Sequence, residues 1–103
     1  LAIGSPQRIA ILPDVPTTAE LGMPKVEADN WYGLVAPAAT PKPILDKLYA
    51  TASEALHSPE VKDKLSAQGV IAVGNSSADF RAYVQREIDR WGELIKATGI
   101  KIK

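Results

Sequence analysis

The chain has 103 residues and a mass of 11.0 kDa, the size of one domain or of one piece of a larger domain. Apolar residues make up 46% and charged residues 23%, which is close to the globular average, so we expect a buried core. Twelve Lys and Arg balance twelve Asp and Glu, which argues against nucleic-acid binding. Without Cys or a long apolar run, neither disulfides, thiol chemistry nor insertion into a membrane is expected.

The beginning of the chain has the pattern of a short strand. Residues 1–3 are apolar, and they are followed by Gly4 and Ser5, which favour a turn. The chain begins at Leu1 and its one methionine is Met23, and no leader precedes the apolar residues. We therefore expect the sequence to have been cut from a longer protein.

A proline-rich loop and a short helix are predicted next. Pro13 and Pro16 exclude regular helix or a central strand from this stretch because proline has no amide donor. Thr17 stands three residues before Glu20, the spacing of a reciprocal capping box. The sequence therefore predicts a short helix that begins at Thr17 and ends at Gly22.

Two further strands are predicted from apolar and aromatic runs. Residues 29–37 combine aromatic and β-branched side chains between turn formers, which makes them the best strand candidate. Trp31 and Tyr32 would point to opposite faces, and Gly33 indicates a bulge or a close backbone approach. Residues 70–73 are entirely apolar and form the third candidate.

Three amphipathic helices follow from apolar spacing and terminal signals. The first begins after Thr40, and its apolar stripe comprises Ile44, Leu45, Leu48, Ala52, Ala55 and Leu56. The second begins after Ser58 and ends at Gly69, and the third and longest begins after Ser76 and ends at Gly99. The elements together define a mixed α/β chain.

No catalytic set is visible among these elements. His57 is the only histidine and lies at a helix C-terminus, where its expected role is to interact with the helix dipole and free carbonyls. Ser53 and Ser58 lie nearby in sequence, but no activating arrangement can be derived from spacing. The carboxylates are scattered without metal-ligand spacing, so neither a metal nor any other cofactor is expected. Trp31 and Tyr32 could line a ligand pocket, although filling a core is the commoner role of aromatic residues.

Several ordered motifs resemble one family. They are Leu12–Thr17 with Glu20, Trp31–Ala38, Thr40–Pro41, Ser58–Val61, Leu65–Gly69, Phe80, Glu87–Ile88, Trp91–Gly92 and Gly99–Ile100. Over nearly the whole chain, the sequence resembles the extracytoplasmic solute receptors of tripartite tricarboxylate transporters, the Bug proteins. Ala39 departs from the glycine that this family often has before Thr-Pro, which affects loop geometry rather than identity.

The resemblance implies part of one lobe of a type II periplasmic-binding-protein-like fold, with about three main helices and short strands. Residues 1–103 would be the C-terminal segment, mostly in lobe 1, and would start near the strand that returns from the other lobe. It further implies a periplasmic receptor, not an enzyme, that captures a small organic acid, a carboxylate, and delivers it to integral membrane transporter subunits. Ser5 is the one ligand-side candidate that this resemblance suggests.

Two alternatives are weaker. One is a self-standing protein-interaction or regulatory α/β module, without ligand capture, which could also self-associate through an apolar surface. The other is an enzyme, and it depends on His57 and the scattered carboxylates alone.

Overall fold

Three α-helices connected by turns and extended segments make up the computed structural model, which describes residues 1–101. Helix α1 spans Lys42–His57, helix α2 spans Pro59–Ala67 and helix α3 spans Ser77–Thr98. Helices α1 and α2 pack against each other. All three helices were predicted from apolar spacing, and the structure confirms them.

The ends of α2 and α3 follow the predicted capping chemistry. The Ser58 hydroxyl accepts a hydrogen bond from the Val61 amide at 3.4 Å, and the Ser76 hydroxyl accepts one from the Asp79 amide at 3.1 Å. Each hydroxyl satisfies an amide that has no partner within its helix. Helix α3 ends at Gly99, whose φ of 68° lies in the left-handed region that glycine tolerates.

The predicted cap of α1 is wrong by one residue. The helix begins at Lys42, and its N-cap is Pro41, with no side-chain cap. The Pro41 carbonyl accepts the first hydrogen bonds, from the amides of Ile44 at 3.0 Å and Leu45 at 3.2 Å. Thr40 therefore lies one position too early for its hydroxyl to cap the helix.

The short helix predicted from Thr17 to Gly22 is also wrong, although its capping box is present. The Thr17 amide donates to Glu20 Oε2 at 2.7 Å, and the Glu20 amide donates to Thr17 Oγ1 at 3.2 Å. The segment forms consecutive turns instead of a helix. Gly22 adopts φ 82°, and Pro24 lacks the amide that a further helical turn would need.

The three predicted strands do not form a sheet among residues 1–101. The one β contact in this part of the chain is an isolated parallel bridge between Ile3 and Thr17. Residues 29–37 and 70–73 have no strand assignment. A strand is defined by pairing with a neighbour, and these segments have no neighbouring strand within the described residues.

The expected core is absent from the described part of the chain. Thr17 is its one buried residue, at 2% exposure, and no apolar side chain there is buried. The accessible surface is 8661 Å², whereas a closed protein of this mass exposes about 5,600 Å². The radius of gyration is 16.7 Å, against about 13 Å for a compact domain of this length. The chain by itself therefore does not enclose a hydrophobic core.

Candidate functional site

The loops at the beginning of the chain are held together by backbone hydrogen bonds. The Ile3 amide donates to the Pro16 carbonyl at 2.9 Å, and the Gly4 carbonyl accepts from the Ala28 amide at 2.9 Å. A Cβ at Gly4 would lie 3.2 Å from the Ala28 nitrogen, so the two backbones approach closely. Ser5 follows directly and therefore lies where these loop segments meet.

Ser5 makes a local turn in this structure. Its hydroxyl donates to the Gln7 carbonyl and accepts from the Gln7 amide at 3.3 Å. The side chain is only partly exposed. A hydroxyl can rotate between partners, so this turn is compatible with a later contact to a ligand, and the ligand-side role of Ser5 stays a prediction.

An ion pair fixes the proline-rich loop behind Ser5. The Arg8 guanidinium donates from Nε to both carboxylate oxygens of Glu20 at 3.0 Å, and from Nη1 to the Pro13 carbonyl at 3.1 Å. The hydrogen bond from Arg8 and the one from the Thr17 amide lower the pKa of Glu20 from 4.5 to about 2. Sequence reasoning found the capping box but missed Arg8, because no local pattern connects residues twelve positions apart.

Trp31 packs on helix α3 instead of lining a pocket. Its ring meets Phe80 edge to face at a centroid distance of 5.7 Å and Tyr83 in the same way at 5.6 Å. A Cβ at Gly33 would overlap Phe80 Cζ, so the group that comes close to this glycine is a side chain of α3 and not another backbone segment. Tyr32 is 87% exposed, which agrees with the prediction that the two neighbouring aromatics point to opposite faces.

A charged group connects the beginning of this extended segment to α3. Arg90 pairs with Glu87 at 2.9 Å and also donates to the Glu27 carbonyl, while the Trp91 indole donates to Glu87 at 3.0 Å. The pKa of Asp29 is raised, first because burial removes water from its carboxyl and then because the Glu27 charge repels it. These contacts hold the segment on the helix but do not form a ligand site.

His57 occupies the helix-end position that the sequence predicts. Its Nδ1 lies 2.6 Å from the Ser53 carbonyl oxygen, and its ring is close to Gly74. The Ser58 hydroxyl is engaged by Ala55 and by the cap of α2. Among residues 1–101, no group of three His, Asp or Glu side chains is arranged to hold a metal ion.

One cavity, between the proline-rich loop and the end of α2, is too small for an organic acid. Its volume is about 40 Å³, room for about one water molecule. It is lined by Ile9, Ala10, Ile11, Ser66, Gly69, Val70 and Ile71.

None of the helices in the described range is long and apolar enough to cross a membrane.

The architecture matches part of a known structure. The chain superposes on the structure of the periplasmic binding protein BugD with a TM-score of 0.81 and 31% identity, covering 97% of this chain and 34% of that one. Its fold is therefore that of part of a periplasmic binding protein. Residues 1–100 match the family model described as tripartite tricarboxylate transporter family receptor. The chain belongs to this receptor family, which confirms the resemblance carried by the motifs.

Curated relatives are longer than this chain. Protein BugT of Bordetella pertussis is 38% identical over 103 residues, which are 100% of this chain and 32% of BugT. A protein from the clcB-clcD intergenic region of Pseudomonas knackmussii is 36% identical over 96 residues, which are 92% of this chain and 57% of that protein. The chain thus spans about a third of the length of BugT.

Proposed function

We propose that residues 1–103 form the C-terminal segment of a periplasmic solute-binding receptor. In this proposal the segment builds mostly lobe 1 and starts near the strand that returns from the second lobe. The observation that carries the proposal is the match of residues 1–100 to a transporter receptor family. The superposition on BugD over 97% of the chain supports it independently.

The whole receptor captures a small organic acid, a carboxylate, and delivers it to integral membrane subunits of a tripartite tricarboxylate-type transporter. Such binding needs amides, hydroxyls and ordered waters that converge in a cleft, not a nucleophile or a cofactor. Closure of two lobes then excludes water and changes the surface offered to the transporter. In this scheme the Ser5 hydroxyl leaves its Gln7 partners to contact the acid.

The described residues favour this function over a self-standing interaction module. An autonomous module needs a core of its own, and no apolar side chain among residues 1–101 is buried. The accessible surface exceeds that of a closed protein of this mass by roughly 3,000 Å². We therefore expect the isolated chain to bind acids weakly or not at all.

Calorimetric titration of a joined receptor tests the proposal. We define the joined receptor as BugT in which residues 1–103 of this chain replace the matching segment, and intact BugT is the control. The panel contains succinate, citrate, benzoate and glutamate. We expect the joined receptor to bind an acid and residues 1–103 alone to release no heat. A folded joined receptor that binds no member of the panel, while BugT binds one, would contradict the proposal.

A further inference from the structure

Residues 3–8, which we call the arch, are tied at both ends to one neighbouring stretch of the chain. At the first end, the Ile3 amide donates to the Pro16 carbonyl and the Ile3 carbonyl accepts from the Thr18 amide, each at 2.9 Å. Thr17, between these two partners, is 2% exposed and forms the β-bridge with Ile3. Backbone hydrogen bonds therefore hold this end of the arch against a buried residue.

The second end of the arch is held by a side chain. Arg8 Nε donates to both carboxylate oxygens of Glu20 at 3.0 Å, and Arg8 Nη2 lies 2.9 Å from Glu20 Oε1. Glu20 Oε2 also accepts from the Thr17 amide at 2.7 Å. The carboxylate of Glu20 thus joins the two ends of the arch, and Ser5 lies between those ends.

The two sides of Ser5 are held differently. On the side that precedes Ser5, the Gly4 carbonyl accepts from the Ala28 amide at 2.9 Å. On the side that follows, the hydrogen bonds that tie residues 6–8 to more distant positions within the described chain come from the Arg8 side chain. The direction of the backbone after Ser5 therefore depends on this one side chain.

The pair of Arg8 and Glu20 is suited to fixing geometry. The Arg8 side chain is 46% exposed and that of Glu20 is 45% exposed, and exposed ion pairs contribute only modestly to folding. A guanidinium that meets a carboxylate through two donors, however, fixes distance and direction together. The two charges also balance each other, so the pair adds no net charge that would attract an acid.

We propose that Arg8 and Glu20 are positioning residues for the capture of the small organic acid. Their ion pair holds the arch so that the Ser5 hydroxyl can turn from Gln7 to the carboxylate of the acid. This inference rests on the proposed function, because that function supplies both the acid and the ligand-side role of Ser5. Neither Arg8 nor Glu20 contacts the acid in this scheme, and their effect passes through the backbone that follows Ser5.

Calorimetry on the joined receptor tests the pair, with the panel acid that the unmodified protein binds. Arg8→Gln removes the two-point contact, and we expect affinity to fall about three- to fivefold, no more than removal of the Ser5 hydroxyl itself. Arg8→Lys keeps the positive charge but replaces the planar fork by a single ammonium group. We therefore expect Arg8→Lys to bind the acid as weakly as Arg8→Gln.

Lys64→Gln is the matched control for these variants. It removes the same charge from another exposed ion pair, in which Lys64 Nζ lies 2.7 Å from Glu60 Oε1 on helix α2. Lys64 lies outside the arch and its partners, so we expect its substitution to leave the affinity unchanged.

The sign of the effect of Glu20→Gln separates positioning from charge attraction. The substitution removes a negative charge, so an effect of charge alone would strengthen the binding of an anionic acid. Loss of positioning would weaken binding instead, because glutamine cannot form the charge-assisted pair with Arg8. We expect the affinity to fall about three- to fivefold, as for Arg8→Gln.

A double-mutant cycle shows whether the pair acts through Ser5. In the Ser5→Ala background the hydroxyl that the arch positions is gone, so Arg8→Gln should weaken binding no further. Amide hydrogen exchange gives a second readout that needs no acid. The Gln7 amide, which donates to the Ser5 hydroxyl at 3.3 Å, should exchange about threefold faster or more in Arg8→Gln than in Lys64→Gln.

Four results would overturn the positioning role. They are an unchanged affinity of Arg8→Gln, full affinity in Arg8→Lys, tighter binding by Glu20→Gln, and losses that multiply when Arg8→Gln and Ser5→Ala are combined. An unmodified joined receptor that binds no acid counts against the proposed function, and the positioning role falls with it. A receptor that binds an acid, while Arg8→Gln binds it equally well, counts only against the role of Arg8 and Glu20.

Discussion

Replacing Gly33 with alanine tests the packing of the extended segment on helix α3. Gly33 has no positive φ, so alanine meets no backbone penalty there. The new methyl group would overlap Phe80 Cζ and come within 3.1 Å of both Phe80 Cε atoms. The Phe80 ring must therefore move, and its edge-to-face contact with Trp31 at 5.7 Å must change.

The sign of the effect separates two interpretations. If the segment did not pack on α3, Gly33→Ala would raise the free energy of unfolding by about 0.4–1 kcal/mol, because alanine restricts the unfolded chain. With the packing seen here, the overlap costs about 1–3 kcal/mol. Loss of the edge-to-face contact between Trp31 and Phe80 would cost at most ~1 kcal/mol more. We therefore expect a net destabilisation of about 1–3 kcal/mol.

Urea unfolding of the joined receptor, followed by circular dichroism, measures this effect. Gly92→Ala is the matched control, because a Cβ at Gly92 meets nothing within 4 Å in the interior of α3, and alanine should stabilise that helix by about 0.5–1 kcal/mol. Adding Phe80→Leu to Gly33→Ala should cost less than the sum of the single changes, because the shorter side chain makes room. A stabilising Gly33→Ala would refute the packing argument.

Three further changes test other parts of the account. In the folded protein the pKa of Glu20 is about 2, against an ordinary 4.5, so its contribution to stability is complete above pH 4.5 and disappears as the pH falls toward 2. Glu20→Gln should therefore make the urea midpoint depend less on pH between 4.5 and 2. An unchanged pH dependence would contradict the pairing of Glu20 with Arg8. Ser76→Ala removes the cap of α3 and should cost about 1 kcal/mol in the same assay, while Ser77→Ala should cost less. Ser5→Ala should weaken acid binding by the joined receptor about fivefold, and unchanged affinity would assign Ser5 to the turn alone.

Local interactions explain what the sequence could predict. The caps at Ser58 and Ser76, and the capping box of Thr17 with Glu20, involve residues within three positions of one another. The helix ends at Gly69 and Gly99 depend on a backbone conformation that glycine adopts readily. Such features are determined by neighbouring residues, so they can be derived without knowing the fold.

Long-range interactions explain what the sequence could not predict. The contact of Arg8 with Glu20 and that of Arg90 with the Glu27 carbonyl join distant positions that share no periodic pattern. The strand at residues 29–37 was predicted from composition, but pairing depends on partners that the described residues do not contain. The prediction of a buried core was wrong for the same reason, because apolar composition does not reveal which other residues cover the apolar face of an element.

The most direct test of the central claim is a crystal structure of the joined receptor with the acid that calorimetry identifies. The account predicts residues 29–36 paired within the sheet of one lobe, with Tyr32 and Leu34 buried. It also predicts the acid between two lobes, on the side where Ser5 follows the first extended segment. An acid bound away from the interlobe cleft, or residues 29–36 left unpaired in solvent, would contradict the account.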